Sequence, residues 1–352
     1  MKALFYLSFI SLIFGCTKPT KQHYTFKQFP AEERVQLQNI DVPPVLYRAV
    51  DMVLLNDGLV VLSLMSEKHL QIFDKDLNFK KQLIEKGEGT SAESVIIPAM
   101  VRGGGNTFSY KSFGKLQYLK LDSLMFDLIP LKAHYLPDEW IEVSYITQLK
   151  SNLIGYSPAM PIKKEFLRLD TTNNQFVEFG PDFPDLGEEL NLIQRHSIFG
   201  KLISKKPDDS KFAAMYERFP ILRIYESSGN LLHEIRYDNN QQNPVQILLK
   251  NNTGNQDLTL NYFKMRATQN YIYGLYSGKT MRELETFRNQ IDDWCYELHV
   301  YDWVGNPVKR MIFDRPFFSF DVSADDRMVV LSSVNEFDKL STFELNLNTN
   351  PQ

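Results

Sequence analysis

The sequence predicts an all-β fold: a single six-bladed β-propeller with four-stranded antiparallel blades, closed by an N-terminal strand in the last blade. Three observations carry the expectation. A tight polar turn between two apolar, strand-like runs recurs six times. It falls at Asn56-Asp57-Gly58, Gly103-Gly104-Gly105-Asn106, Lys150-Ser151-Asn152, Pro207-Asp208-Asp209-Ser210, Thr268-Gln269-Asn270 and Asp325-Asp326-Arg327. A second turn follows in five of the units, at Asp74, Asp122, Asp170, Glu226 and Asp302. Aromatic residues make up 13 % of the 352-residue chain, with 25 Phe and 17 Tyr, a composition that suits pleated, half-buried surfaces.

The elements follow in chain order. Met1-Lys2 is a charged start, and Ala3 to Phe14 is an apolar run too short to span a bilayer but suited to a signal-peptide core. The run ends at Gly15-Cys16, with Ile13 at the third position before the cysteine. This resembles a bacterial lipobox, although Phe14 is larger than that pattern prefers. The resemblance implies lipid attachment at Cys16 and a signal peptide over 1–15. Residues 16–23 then read as a lipidated tether and 24–352 as the propeller. Three acyl chains would anchor stably where one would not. Thr17 in place of an acidic residue after Cys16, with Lys18 and Lys21 nearby, favours the outer membrane facing the periplasm.

Blade one begins with MVLL and LVVLSL on either side of Asn56-Asp57-Gly58. The Asn, Asp and Gly of such turns tolerate hairpin dihedrals, and the flanks are β-branched or aromatic. Each hairpin is followed by a second one, as in LQIFDKDLNFKKQLI and LHVYDWVGNPVKRMI. Units of four strands recurring at roughly 47 to 60 residues are propeller blades. A helical solenoid would show a period of 3.6 where this chain shows a period near 2. The sixth unit, ending in STFELNLNTN, lacks room for its fourth strand. One of the strand-like segments YTFKQF and VQLQNI near the N-terminus is expected to supply it and close the ring. Asp238 to Asp257 reads as a surface loop. Ser277 to Asp293 carries Met281, Leu284, Phe287 and Ile291 at helical spacing, as Pro181 to Ser197 does with Leu186, Leu190 and Ile193.

Composition excludes several functions. The chain has 39 Lys+Arg against 43 Asp+Glu, a balance that argues against a dedicated nucleic-acid binder. Two Cys and six His rule out a disulfide scaffold and disfavour a Cys/His zinc site. Cys295 reads as a small buried hydrophobe. Ser277-Gly278-Lys279-Thr280 ends like a phosphate loop, but Tyr273 stands where the first glycine is needed. The pairs Asp292-Asp293 and Asp325-Asp326 are neighbours on the chain. On a strand such neighbours face opposite ways and make poor acid–base partners. No catalytic residue and no metal ligand is assigned.

A lipoprotein signal followed by six degenerate blades resembles the TolB-like six-bladed propeller lipoproteins of bacterial envelopes. Lys86-Gly87-Glu88-Gly89 with Glu93 resembles a degraded form of that family's Gly-rich segment after blade one, and Leu275-Tyr276-Ser277-Gly278-Lys279 after blade five is also similar. The resemblance implies a membrane-anchored, non-catalytic binding or scaffold protein for a peptide, glycan or envelope partner protein. It is expected to be a monomer without cofactor. The alternative is a channel-centred, metal-dependent hydrolase or lyase of the gluconolactonase type, with Ca²⁺ on the axis. Arg102, Lys111, Tyr276 and Lys279 are the candidate rim or channel residues, because each stands near an inner hairpin. An Arg- or Tyr-lined mouth would favour binding, and three or more converging carboxylate or amide oxygens would favour the enzyme.

Overall fold

The structure is a computed structural model that describes residues 22–87, 92–143, 145–157, 160, 162–187, 190–191, 194–195, 198–250, 254–284 and 294–347. The signal segment 1–15, Cys16, and the Phe287, Ile291, Ile193 and Asp292-Asp293 positions lie outside these residues.

Strands β1 (Gln22–Phe26), β2 (Glu32–Arg34) and β3 (Gln38–Asp41) precede the first blade. Blade one is β4 (Ala49–Leu54), β5 (Gly58–Ser63), β6 (Lys68–Asp74), β7 (Phe79–Lys86) and the short β8 (Ala92–Glu93). Blade two is β9 (Ile96–Arg102), β10 (Thr107–Ser112), β11 (Lys115–Asp122) and β12 (Asp127–Tyr135). Blade three is β13 (Tyr145–Leu149), β14 (Asn152–Tyr156), β15 (Lys164–Asp170) and β16 (Phe176–Asp182). Blade four is β17 (Lys201–Lys205), β18 (Lys211–Tyr216), β19 (Ile221–Glu226) and β20 (Leu231–Tyr237). Blade five is β21 (Thr259–Ala267), β22 (Tyr271–Thr280), β23 (Cys295–Asp302) and β24 (Pro307–Phe317). Blade six is β25 (Ser319–Val322), β26 (Met328–Ser332) and β27 (Lys339–Glu344).

Every expected hairpin turn falls between the first two strands of its blade. The second turns begin where the third strand ends, and their chemistry is side-chain capture of backbone donors. Asp302 Oδ1 accepts the amides of Val304 at 3.0 Å and Asn306 at 2.8 Å. Asp74 does the same for Asp76 and Asn78, and Asp122 for Leu124 and Met125.

The ring closes as the short sixth unit requires. β3 pairs antiparallel with β27, placing Ile40 opposite Leu340, and so supplies the missing outer strand. The N-terminal segment does more than close the ring. β1 adds in parallel to the outer edge of blade four, and β2 adds in parallel to that of blade five. Among the described residues three blades therefore have five strands rather than four, since β8 also pairs in parallel with β7. Hairpin periodicity is silent about such pairings, because they join segments with no turn between them. The chain forms an outer belt over blades four, five and six.

The core is not one central mass but a set of wedges between neighbouring blades. Val53, Val60 and Ile72 of blade one meet Phe108 and Leu121 of blade two. Leu153 and Leu167 pack toward Leu116 at the next junction, and Phe166 and Phe179 meet Phe212 and Tyr225 after that. Met215 and Ile224 face Tyr262 and Ile272, Leu298 and Phe313 face Phe320 and Leu331, and Val330 with Leu340 faces Met52 and Val61. The aromatic fraction is spent in these wedges: Phe212 stacks on Tyr225 at 4.7 Å, and Phe263 packs edge-on against Phe318 at 4.6 Å. Gly274 marks how close the blades come. A Cβ there would lie 2.5 Å from Met215 Sδ of blade four.

The Asn/Gln-rich stretch Asp238 to Asp257 contains a helix, Pro244–Lys250, instead of running as a plain loop. Asn243 Oδ1 accepts the Val245 amide, Pro244 takes the first position, and Val245 is fully buried. Met281–Leu284 forms one helical turn. A helical bond joins Arg195 N to Asn191 O in the connection before blade four. Leu275 to Lys279 belongs to β22, inside blade five and not after it.

Candidate functional site

The first strand of each blade lines the axis, so the first turns surround one end of it. Because strands alternate in direction, the first and second turns of every blade lie on this same face. A cavity of about 330 Å³ opens there. Its walls come from Asn56, the end of β9 with Gly103 to Gly105, Ile203 to Lys205, Met265 to Gln269, and Asp321. The glycine turn leaves one side bare: a Cβ added at Gly104 would meet nothing within 4 Å.

Beneath this cavity the axis is charged. Asp51 of β4 and Asp321 of β25 are both fully buried. Asp51 Oδ1 lies 2.5 Å from Arg266 Nη2 and 3.6 Å from Lys264 Nζ, and its Oδ2 accepts the Met100 amide at 2.7 Å. Burial pushes the Asp51 carboxyl up, but Lys264 and Arg266 with that amide outweigh it and hold the group below its ordinary value. Burial likewise pulls Lys264 down, against the attraction of Asp51. Asp321 Oδ2 accepts the Leu54 amide at 2.6 Å, and its Oδ1 lies 2.6 Å from Arg102 Nη2. Arg102 also donates to Val322 O. Among the described residues the buried Nε atoms of Arg102 and Arg266 have no hydrogen-bond partner. At the far end of the axis Glu217 is pushed up by burial, and the Tyr145 hydroxyl hydrogen-bonds to it.

Of the four candidate rim residues, the structure brings Arg102 to the cavity. Lys111 lies on β10 and is buried with 2 % exposure. It donates to the carbonyls of Trp140, Ile141 and Val143 at 3.2, 2.6 and 2.6 Å, and burial pushes its ammonium down to about 8. Tyr276 is packed into blade five, stacked on His299 at 4.3 Å, with its hydroxyl accepting from Asn239. Lys279, at the far end of β22, lies over the Tyr296 ring at 4.1 Å. These three belong to second strands, which run away from the mouth and pack between blades. Asp51, Lys264, Arg266 and Asp321 were not anticipated from the sequence. The available signal was a charge inside an otherwise apolar first strand, as in AVDMVL and SFDV.

A second buried cluster joins blades three and four. Glu165, fully buried, lies 3.1 Å from Lys201 Nζ and 3.1 Å from Arg223 Nη1, and accepts hydrogen bonds from the Tyr216 and Tyr225 hydroxyls. Lys201 Nζ is also within 4.7–4.9 Å of four ring centroids, those of Tyr156, Phe166, Phe183 and Tyr216. Among the described residues, no three His, Cys, Asp or Glu side chains are grouped to hold a metal ion. Glu93, which follows the Gly-rich segment, pairs with Lys115 at 2.7 Å. Cys295 is buried in β23.

Residues 168–325 match the family described as TolB-like 6-blade propeller-like, and the fold is a six-bladed ring, as that description has it. No curated protein matches the sequence. Among solved structures, a member of the DUF4221 family from Bacteroides vulgatus ATCC 8482 superposes with a TM-score of 0.60 at 11 % identity, covering 88 % of this chain and 96 % of that one. A candidate exported protein from Bacteroides fragilis NCTC 9343 gives 0.54 at 14 % identity, covering 92 % and 100 %. At these identities the likeness is one of fold.

Proposed function

We propose that this six-bladed propeller is a lipid-anchored envelope protein that binds a peptide, glycan or partner protein at its axial mouth and performs no chemistry there. The carrying observation is the cavity of about 330 Å³ walled by arginine and glycine at the meeting point of the inner strands. Its size falls in the range of ligand clefts. The donor set favours binding over metal-centred hydrolysis. The two axial carboxylates, Asp51 and Asp321, are each committed to arginine and to backbone amides. A Ca²⁺ site would need such oxygens free and converging.

The anchor reading rests on Gly15-Cys16 and on the course of the chain. Gln22 pairs with His233, just after the second turn of blade four, so the polypeptide joins the ring on the mouth face. The exported character ascribed to the Bacteroides fragilis protein of similar fold supports an envelope location.

Two measurements test this. Metabolic labelling with palmitate should mark the chain and fail with Cys16→Ser; labelling that persists in the variant refutes the anchor. The immobilised protein should retain a peptide, glycan or protein fraction from envelope extract that Gly104→Leu does not retain. Equal retention by both proteins refutes binding at the mouth.

A further inference from the structure

We infer that the mouth takes the free C-terminal carboxylate of a peptide whose last side chain is apolar. The inference rests on the reading of the cavity as a binding site and specifies what that site recognises.

Three features of the cavity converge on this chemistry. The first is an incompletely used arginine. Arg102 spends Nη2 on Asp321 and Val322 O, while its Nε is buried with no hydrogen-bond partner among the described residues. Its side chain keeps 17 % exposure, at the cavity wall. A guanidinium with an unspent edge is matched in geometry by a carboxylate, which can accept two parallel N–H bonds. Arg266 lines the cavity too, and its Nε likewise has no hydrogen-bond partner among the described residues, but that Nε faces Asp321 at 3.5 Å and both of its terminal nitrogens are spent, Nη1 on Met265 O and Nη2 on Asp51 and Met52 O. The cavity's Lys205 is held by Asp209 at 2.5 Å. Of the two arginines, Arg102 is the one that commits a single terminal nitrogen, Nη2, and so keeps guanidinium donors for an anion.

The second feature is the glycine turn directly after it. Gly103 to Gly105 carry no side chains, and the space beyond the Cα of Gly104 and Gly105 is open. A peptide backbone can come close to this turn, and main-chain donors beside an arginine are a recurring way to hold a terminal carboxylate.

The third feature is the apolar part of the lining. Met100, Ile203 and Met265 supply an apolar surface next to the polar one. Methionine adapts to side chains of differing shape. Among the described residues no aromatic ring lines the cavity, so they offer no stacking platform of the kind a sugar ring would use. An acidic glycan would satisfy Arg102 but leave this apolar surface idle. A chain terminus ending in Leu, Ile, Val or Met satisfies both.

The test uses the full chain in detergent and two probes, Ac-Gly-Ala-Leu with a free carboxylate and the same peptide as its C-terminal amide, with binding read by calorimetry. The acid is expected to bind about ten- to a hundred-fold more tightly than the amide, the scale of a charge-assisted bond. A third peptide, Ac-Gly-Ala-Asp, is expected to bind more weakly than the leucine peptide. Arg102→Gln should remove the difference between acid and amide. Because that variant also unpairs Asp321, Gly104→Leu is the control: it touches no ion pair, should unfold at the parent's temperature, and should block both peptides. Equal binding of acid and amide overturns the inference, as does undiminished binding by Gly104→Leu. Failure of every peptide, with Gly104-dependent retention of a glycan still seen, overturns this inference and leaves the proposed function standing.

Discussion

Lys201 offers the sharpest test of what holds the ring together. It is fully buried, paired with Glu165 at 3.1 Å and enclosed by four aromatic rings. Burial pushes its ammonium from 10.5 down to about 8, although Glu165 pulls the other way. At about 1.4 kcal/mol per tenfold change in proton affinity, the charged lysine costs the folded state about 3 kcal/mol at neutral pH. The Lys201→Met substitution removes that cost and keeps an apolar chain of similar length among the rings, so it should be neutral or stabilising. Glu165→Gln should behave oppositely. It strands Lys201 without a counter-charge and weakens Arg223, at a loss of about 3–5 kcal/mol.

The pH dependence has a fixed sign. The folded value lies below the unfolded one, so between pH 8 and 10.5 the unfolded chain holds more protons and stability rises with pH. Lys111, also near 8, adds to the same slope, and the buried tyrosines oppose it above their ordinary value. Subtracting the Lys201→Met profile from that of the parent isolates Lys201. Urea titrations across pH 7 to 10.5 supply both profiles. A loss of 3 kcal/mol or more in Lys201→Met, or parallel profiles in the two proteins, would refute the reasoning.

Other expectations follow from the same contacts. A chain beginning at Val42 lacks β1, β2 and β3 and should lose its cooperative urea transition and bind a hydrophobic dye; adding residues 22–41 as a peptide should restore the transition. Asp302→Ala removes a carboxylate that serves two amides and the Asn306 side chain, and should lower stability by about 1–2 kcal/mol in urea, while the same change at exposed Asp76 should be within about 0.5 kcal/mol. Asp51→Asn strands Lys264 and leaves Arg266 only Asp321, at 3.5 Å, and should cost about 3–5 kcal/mol; Asp321→Asn strands Arg102, which the cavity can hydrate, and should cost less, a ranking that thermal unfolding reads directly. In a Cys16→Ser background, Cys295 should react with a thiol reagent at least a hundred-fold faster in urea than in the native protein.

What the sequence makes legible is what short-range chemistry encodes. Asp209, Asp326 and Gly105 occupy positive φ in the first turns, and Asp and Gly in those places announce it. The third-strand aspartates announce the second turns in the same way. The missing strand of blade six was readable because a four-strand unit had lost a member. Pairings without a turn were not readable, and β1 on β20 and β2 on β24 are of that kind. The helix at Pro244–Lys250 was hidden by its Asn/Gln-rich flanks, although Asn243-Pro244 is a helix start by residue type. The site was the least legible part. Arg102 stood out beside the glycine turn, but its partners lie on strands far away in the chain. Lys111 resembled Arg102 in its distance from an inner hairpin and differed in strand, and the strand decides whether a side chain meets the mouth or a neighbouring blade.

The charged axis itself needs a reason, since apolar side chains of similar size would close it at equal or better stability. Its bonds supply one. The innermost strands of adjacent blades are not laddered to each other as strands within a blade are. Asp51 on blade one reaches the Met100 amide on blade two and Arg266 on blade five, while Asp321 on blade six reaches the Leu54 amide on blade one and Arg102 on blade two. Each carboxylate thus ties three blades at fixed height. Apolar wedges tolerate sliding because their attraction has no direction; hydrogen-bonded carboxylates do not, because geometry limits them. The arrangement sets the six first turns level with one another, and a cavity walled by four of those turns keeps its shape only while they stay level.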